Sequence, residues 1–308
     1  MRKLNTLNLV VASVTAAALM TFAPIPGAGQ DKQKGGRGGG KGKGGPPGAE
    51  QYGPYYAAPA KAGEPVGRTP DGQPDMQGFW TPRFNQAIFE VQNHPTAQPG
   101  IGPGKGAIVD PADGRIPYKP EAAAKAKEML AKQIYLEPEA HCYVSGVPHA
   151  AYQQFGYQIV QPAGYVLFLT EYAHTYRAIP TDGRPHISPN IKLFRGDSVG
   201  KWEGGTLVID TTNQNGKTWF DMAGNFTTPA IHVVERITPV DTNNINYEAV
   251  VDDSTIYTQP WKIAGQLGRH PDQNMELMEF ACVEGNQDLV HYTEGVGGKA
   301  KEKGALRQ

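Results

Sequence analysis

The stretch EYAHTYRAIPTDGRPH, Glu171–His186, sets two histidines, two arginines, a glutamate and an aspartate directly after the apolar run VLFLT. Imidazole is the side chain that exchanges a proton near neutral pH, and a carboxylate beside it fixes its orientation, so the mixture holds the parts for acid–base chemistry. Read as extended chain, alternation puts Tyr172, His174 and Tyr176 on one face and Glu171, Thr175 and Arg177 on the other. A histidine between two tyrosines on an inward face can bind or protonate a ligand; hydrogen-bonded into the tyrosine pair, it is structural. In TDGRPH the Asp-Gly pair makes a turn, after which Arg184 and His186 point the same way at a rim. The plain alternative is a polar hairpin whose charges are solvated.

IHVVERI extends the set. His232, Val234 and Arg236 share one face, and Ile231, Val233, Glu235 and Ile237 share the other. Glu235 then sits among apolar neighbours, where an ionised carboxylate is costly unless paired. It is either a general acid or base, or the partner of a buried arginine, with Arg177 and Arg184 available. The candidate catalytic groups are therefore His174, His186, His232, Glu235 and Asp182. Arg184, Arg177, Tyr172 and Tyr176 are the candidate ligand-binding groups, and the set is expected around one cavity. Arginines suit a carboxylate, phosphate or sulfate better than they suit a divalent cation. The expected ligand is thus a small molecule, anionic where the arginines hold it, and no cofactor is expected. An open zinc or copper site on three of the histidines is the alternative. GxxxxGK[ST], HExxH and HxH signatures do not occur.

The elements that must position these groups read as strands. YQIVQ (157–161), YVLFLTEY (165–172), TYRAIP (175–180), TLVIDTT (206–212), IHVVERITPV (231–240), NINYEAVVDD (244–253), WKIAGQLG (261–268) and MELMEFAC (275–282) are β-rich runs separated by turn clusters such as TDGRP and DTNN. With no helix between them, they predict an antiparallel meander, closed into a barrel or a strongly curved sheet. SVGKWEGG reads as a tight turn into a strand, with Trp202 as a packing plug. One helix is predicted over Pro120–Ile134, lying on the sheet through a stripe of Ala123, Ala126, Leu130 and Ile134. Arg83–Tyr118 is rich in Pro and Gly and reads as an irregular wrap.

The chain has 308 residues, a formal net charge of −1, 38 glycines and 26 prolines, a balance that gives no nucleic-acid footprint. Residues 1–29 have the basic start, short apolar run and small-residue end of a secretory signal peptide. Residues 30–64 form a Gly/Lys/Pro-rich linker that cannot bury apolar surface, 65–294 the β-rich domain, and 295–308 a polar tail. The expected location is the periplasm or the outside of the cell, with no membrane span after cleavage. Two cysteines, Cys142 and Cys282, are expected to pair.

PDMQGFW, TDGRPH, SVGKWEGGTLVIDT and HVVER, taken in order, resemble a family of secreted bacterial proteins over most of residues 68–291. Similar sequences carry a histidine in the stretch matching Asn225–Thr228, where this chain has none. GKW is also similar to the GxW of lipocalin-like, calycin-type barrels. The resemblance implies export and brings no reaction with it. The expectation is therefore an exported enzyme of hydrolase, lyase or isomerase type using His and carboxylate groups. A non-catalytic ligand-binding barrel and an envelope structural protein are the alternatives.

Overall fold

The computed structural model describes residues 63–94, 106–132, 136–270, 272 and 274–283. The leader, nearly all of the linker, Ile134 and the tail lie outside them. Period-two alternation decides what each strand buries. Val233, Glu235 and Ile237 of one strand point inward while His232, Val234 and Arg236 face out, and Leu207, Ile209 and Thr211 of its neighbour point inward past an outward Asp210.

The strands are β1 (Gly78–Pro82), β2 (Ile108–Asp110), β3 (Tyr157–Val160), β4 (Tyr165–Thr170), β5 (Thr175–Pro180), β6 (Asp197–Glu203), β7 (Thr206–Thr212), β8 (His232–Asp241), β9 (Asn244–Asp252) and β10 (Trp261–Arg269). They form one antiparallel sheet in the order β5-β4-β3-β1-β10-β9-β8-β7-β6, with β2 paired to β10. The terminal strands β5 and β6 pack against each other without a hydrogen-bonded ladder, so the sheet is a nearly closed barrel. Mainly β, antiparallel and single-helixed is what the sequence predicts. The arrangement is two meanders, β3–β5 and β6–β10, joined by β1. The GFW anchor near the start of the domain is thus a central strand, with Trp80 only 1% exposed. Trp80, Trp261, Tyr152, Tyr157, Tyr247 and Phe220 are the largest fully buried side chains of the core.

The β6–β7 hairpin turns on Gly204, whose φ of 60° is the left-handed conformation that favours glycine, and pairs Glu203 with Thr206. Its register then sets Asp197 opposite Thr212 and Val199 opposite Asp210. The β4–β5 hairpin turns through Glu171–His174, with Ala173 and His174 at φ 55° and 49°. Tyr172, His174 and Tyr176 therefore do not share a strand face as the sequence predicts.

Helix α1 (Pro120–Ala131) is built of strong helix formers with proline at its first position. It buries Ala122 and Ala126 against Trp219 and Phe226 of the loop following β7, not against the sheet, and Leu130 is exposed. Gly224 permits this contact: a Cβ there would stand 2.6 Å from the Leu130 nitrogen. The segment 275–282 is not a strand. It is held by Phe280 packing on Tyr172 and Phe155, by the Met278 amide donating to Glu171 at 2.8 Å, and by the Cys142–Cys282 disulfide, Cα–Cα 5.6 Å. No helix among the described residues is long and apolar enough to cross a membrane.

Candidate functional site

Strand β8 separates the predicted residues into two clusters on opposite faces of the sheet. On the outer face, Asp210 of β7 and His232 of β8 are cross-strand diagonal neighbours, and His232 Nε2 lies 3.1 Å from both Asp210 carboxylate oxygens. His186 arrives from the β5–β6 loop. Its Nε2 stands 3.0 Å from the same Asp210 carboxylate, and its Nδ1 stands 2.7 Å from Asp197 at the start of β6. Both contacts are hydrogen bonds at once only when both ring nitrogens carry protons. The loop is tied down beside the ring. The Ile187 amide donates to Asp197 at 3.1 Å, and the Asn213 amide nitrogen donates to the carbonyls of Ile187 and Ser188. Asp252 of β9 is the cross-strand partner of His232 and adds a third carboxylate to this end of the face. The side chains are reachable from solvent: His232 is 43% exposed and Asp210 41%.

On the inner face, Arg177 reaches from β5 across the seam. Its Nε donates to Ser198 at 3.0 Å, and its Nη2 donates to Thr211 at 2.7 Å and to Glu235. Ser198 and Thr211 also bond each other at 3.0 Å, and the Tyr247 hydroxyl donates to Glu235 at 2.9 Å. The pair is out of water, Arg177 at 9% and Glu235 at 1% side-chain exposure. Burial and the Glu235 charge push the Tyr157 and Tyr247 phenols up, so both stay neutral. Of the two roles open to Glu235, its contacts match the partner of a buried arginine. Arg177, as its counterpart, pins the barrel shut.

The remaining candidates lie elsewhere. His174 faces Glu279 at 3.7 Å in the β4–β5 turn. Asp182 and Arg184 form an exposed pair with each other, and Arg184 lies over the Tyr165 ring at 5.1 Å. The Arg184 guanidinium holds the Asp182 carboxyl down at about 2, which keeps it ionised and unsuited to carrying a proton. Tyr172 is buried and donates to the carbonyls of Glu139 and Tyr143, while Tyr176 is 70% exposed. The expected single cavity around His174, Arg184, His186 and His232 is thus not what the chain builds. It brings His186 and His232 together, and it brings Arg177 and Glu235 together on the other side.

The sequence reading missed Asp197, Asp210 and Arg195. Counting outward from the Gly204–Gly205 turn would have found the two aspartates, since a two-residue hairpin puts them one diagonal step apart on one face. Arg195 lies in the β5–β6 loop and has no periodic signal. Two further buried acids serve the scaffold. Asp221, raised by burial and by Glu90, accepts from the amides of Val91, Ala223 and Asn225. Glu137 accepts from the amides of Glu139 and Ala140. Among the described residues, no group of three or more His, Cys, Asp or Glu is arranged to hold a metal ion. Comparison with family models, curated proteins and solved structures finds no match to this chain.

Proposed function

We propose that this protein is an exported enzyme that moves protons through His232 on the outer barrel face, with Asp210 as the carboxylate that orients it and with His186, bridged to Asp197, holding Asp210 in place. One observation carries the reading: two imidazoles meet on the single Asp210 carboxylate, and one of them rests on a second carboxylate through its other nitrogen. A carboxylate on one ring nitrogen fixes the tautomer and leaves the other nitrogen to work. In His232 the working nitrogen is Nδ1, on a ring open to solvent. Hydrolase, lyase and isomerase chemistry each need a proton to be taken and then returned, which the one free imidazole nitrogen of His232 provides by acting as base and then as acid. The charge of the site selects the substrate class. Asp197, Asp210 and Asp252 repel an anion, so the substrate at this face is neutral or cationic, and the arginines of the sequence motif belong to a different job. The disulfide supports an oxidising compartment, the periplasm or the cell exterior.

The test is a panel of chromogenic esters, glycosides and amides with the leader-free chain. Turnover should fall about 10²–10⁴-fold in His232→Gln and in Asp210→Asn. Their melting temperatures should stay close to wild type, because both side chains are exposed. Turnover that survives His232→Gln undiminished sinks the proposal.

A further inference from the structure

The barrel interior holds a small cavity of about 20 Å³, room for one or two water-sized spheres, lined among others by Arg177, Arg195, Glu235, Thr170, Phe168 and Tyr247. Arg195 is the unusual member. The residue is 9% exposed. Its hydrogen bonds are two long ones to neutral acceptors, from Nε to the Ser145 carbonyl and from Nη2 to the Thr170 hydroxyl, both 3.3 Å. Its Nη1 is buried with no acceptor. No carboxylate among the described residues makes an ion pair with it. Glu139 acts on it only from a distance and is taken up by Ser145 and Gln153, each at 2.5 Å, with His149 at 3.5 Å. Arg177 faces the same cavity and spends its Nε and Nη2 on Ser198, Thr211 and Glu235. The lining thus carries two guanidinium groups and one carboxylate.

A guanidinium taken out of water without a counter-charge is one of the most expensive things a fold can contain. Burial and the neighbouring Arg177 push the Arg195 pKa down to about 10, still far above neutral, so the group stays charged. A negative charge is the missing partner. We propose that this cavity is a binding site for one small monovalent anion, a halide or a formate-sized carboxylate, held by Arg195 and Arg177. The site lies on the opposite face of β8 from the His232 cluster and stands whether or not that cluster is catalytic.

The test is diffraction from crystals of the wild-type protein grown in sodium bromide, alongside melting curves at constant ionic strength in gluconate, which is too large for the cavity, and in bromide, chloride, formate and acetate. An anomalous bromide peak between the two guanidinium groups is expected. So is a rise in melting temperature of about 5 °C at anion concentrations roughly a hundredfold above Kd. In Arg195→Met that anion-dependent rise should vanish. Acetate matching formate would identify the site as the seat of a ligand's carboxylate end; halide and formate alone would make it a resident ion. Water density without anomalous signal, together with melting that ignores the anion, overturns the proposal, and the wild-type arm decides the matter even if Arg195→Met fails to fold.

Discussion

Replacing Arg177 by methionine leaves the Glu235 carboxylate at 1% exposure with the Tyr247 hydroxyl as its remaining partner. Removing one member of a buried ion pair destabilises a protein by about 3–5 kcal/mol, because the other charge stays buried and alone. Little should be added by the other two bonds of Arg177, since Ser198 and Thr211 keep their own 3.0 Å contact. Arg177→Met is therefore expected to cost about 3–5 kcal/mol. Glu235→Leu should cost a comparable amount, as it strands the arginine. The double variant leaves no charge behind and should recover most of the loss, with a coupling energy of several kcal/mol. Urea unfolding followed by tryptophan fluorescence is a suitable assay, because Trp80 and Trp261 sit in the core at 1% exposure. If the double variant is as unstable as the sum of the singles, the two residues do not act as a pair, and Arg177 is not what closes the seam.

Other expectations follow from the buried acids, the disulfide and the helix contact. Burial and the neighbouring Glu139 raise the Glu137 carboxyl to about 7, from 4.5 in the unfolded chain. The folded state therefore keeps a proton that the unfolded chain releases, and stability falls as pH rises from about 4.5 to 7. Glu137→Gln removes the titrating proton and should flatten that slope, while it keeps one acceptor oxygen for two amides that now use separate oxygens and so costs about 1–3 kcal/mol at every pH; an unchanged slope refutes the assignment. Cys282→Ser opens a cross-link between residues 140 apart and should lower stability by about 5 kcal/mol in the chain-entropy account. Proteolysis near 274–283 should rise with it, and a cleavage pattern like wild type counts against that docking role. Gly224→Ala forces a side chain at φ 84° onto the backbone of α1 and should cost about 2–4 kcal/mol, read as a lower thermal midpoint.

How much of this was legible in the sequence depended on whether a signal was local. The run VLFLT is apolar at every position before Thr170 and hides the alternation of buried and half-buried residues that β4 shows. Alternation in IHVVERI, by contrast, gave that strand and its inward residues, because a strand's period is set by its own backbone. The same alternation showed that His232 and Glu235 face opposite ways, which the barrel bears out. The place of β1 was not legible. GFWTP is short, carries a proline and pairs with strands some 80 and 190 positions later, and nothing local encodes such partners. The His174 reading failed because AH takes a left-handed turn without a glycine or asparagine to announce it. The Asp210 and Asp197 pairing was hidden in a hairpin read only for its turn. Arg195 had no pattern at all, and only burial makes it conspicuous.

The seam between β5 and β6 has a meaning for the chain's behaviour in a crowd. Strands that meet through side chains keep their outer amides and carbonyls unspent, which is the grammar by which one sheet recruits another. While the seam is shut, the guanidinium spanning it keeps those two edges facing each other. A molecule caught before that crossing forms shows two bare edges at once and can accept a strand from a neighbour on either side. One interior ion pair thus has a second office, as the step that separates a solitary barrel from a growing chain of open ones.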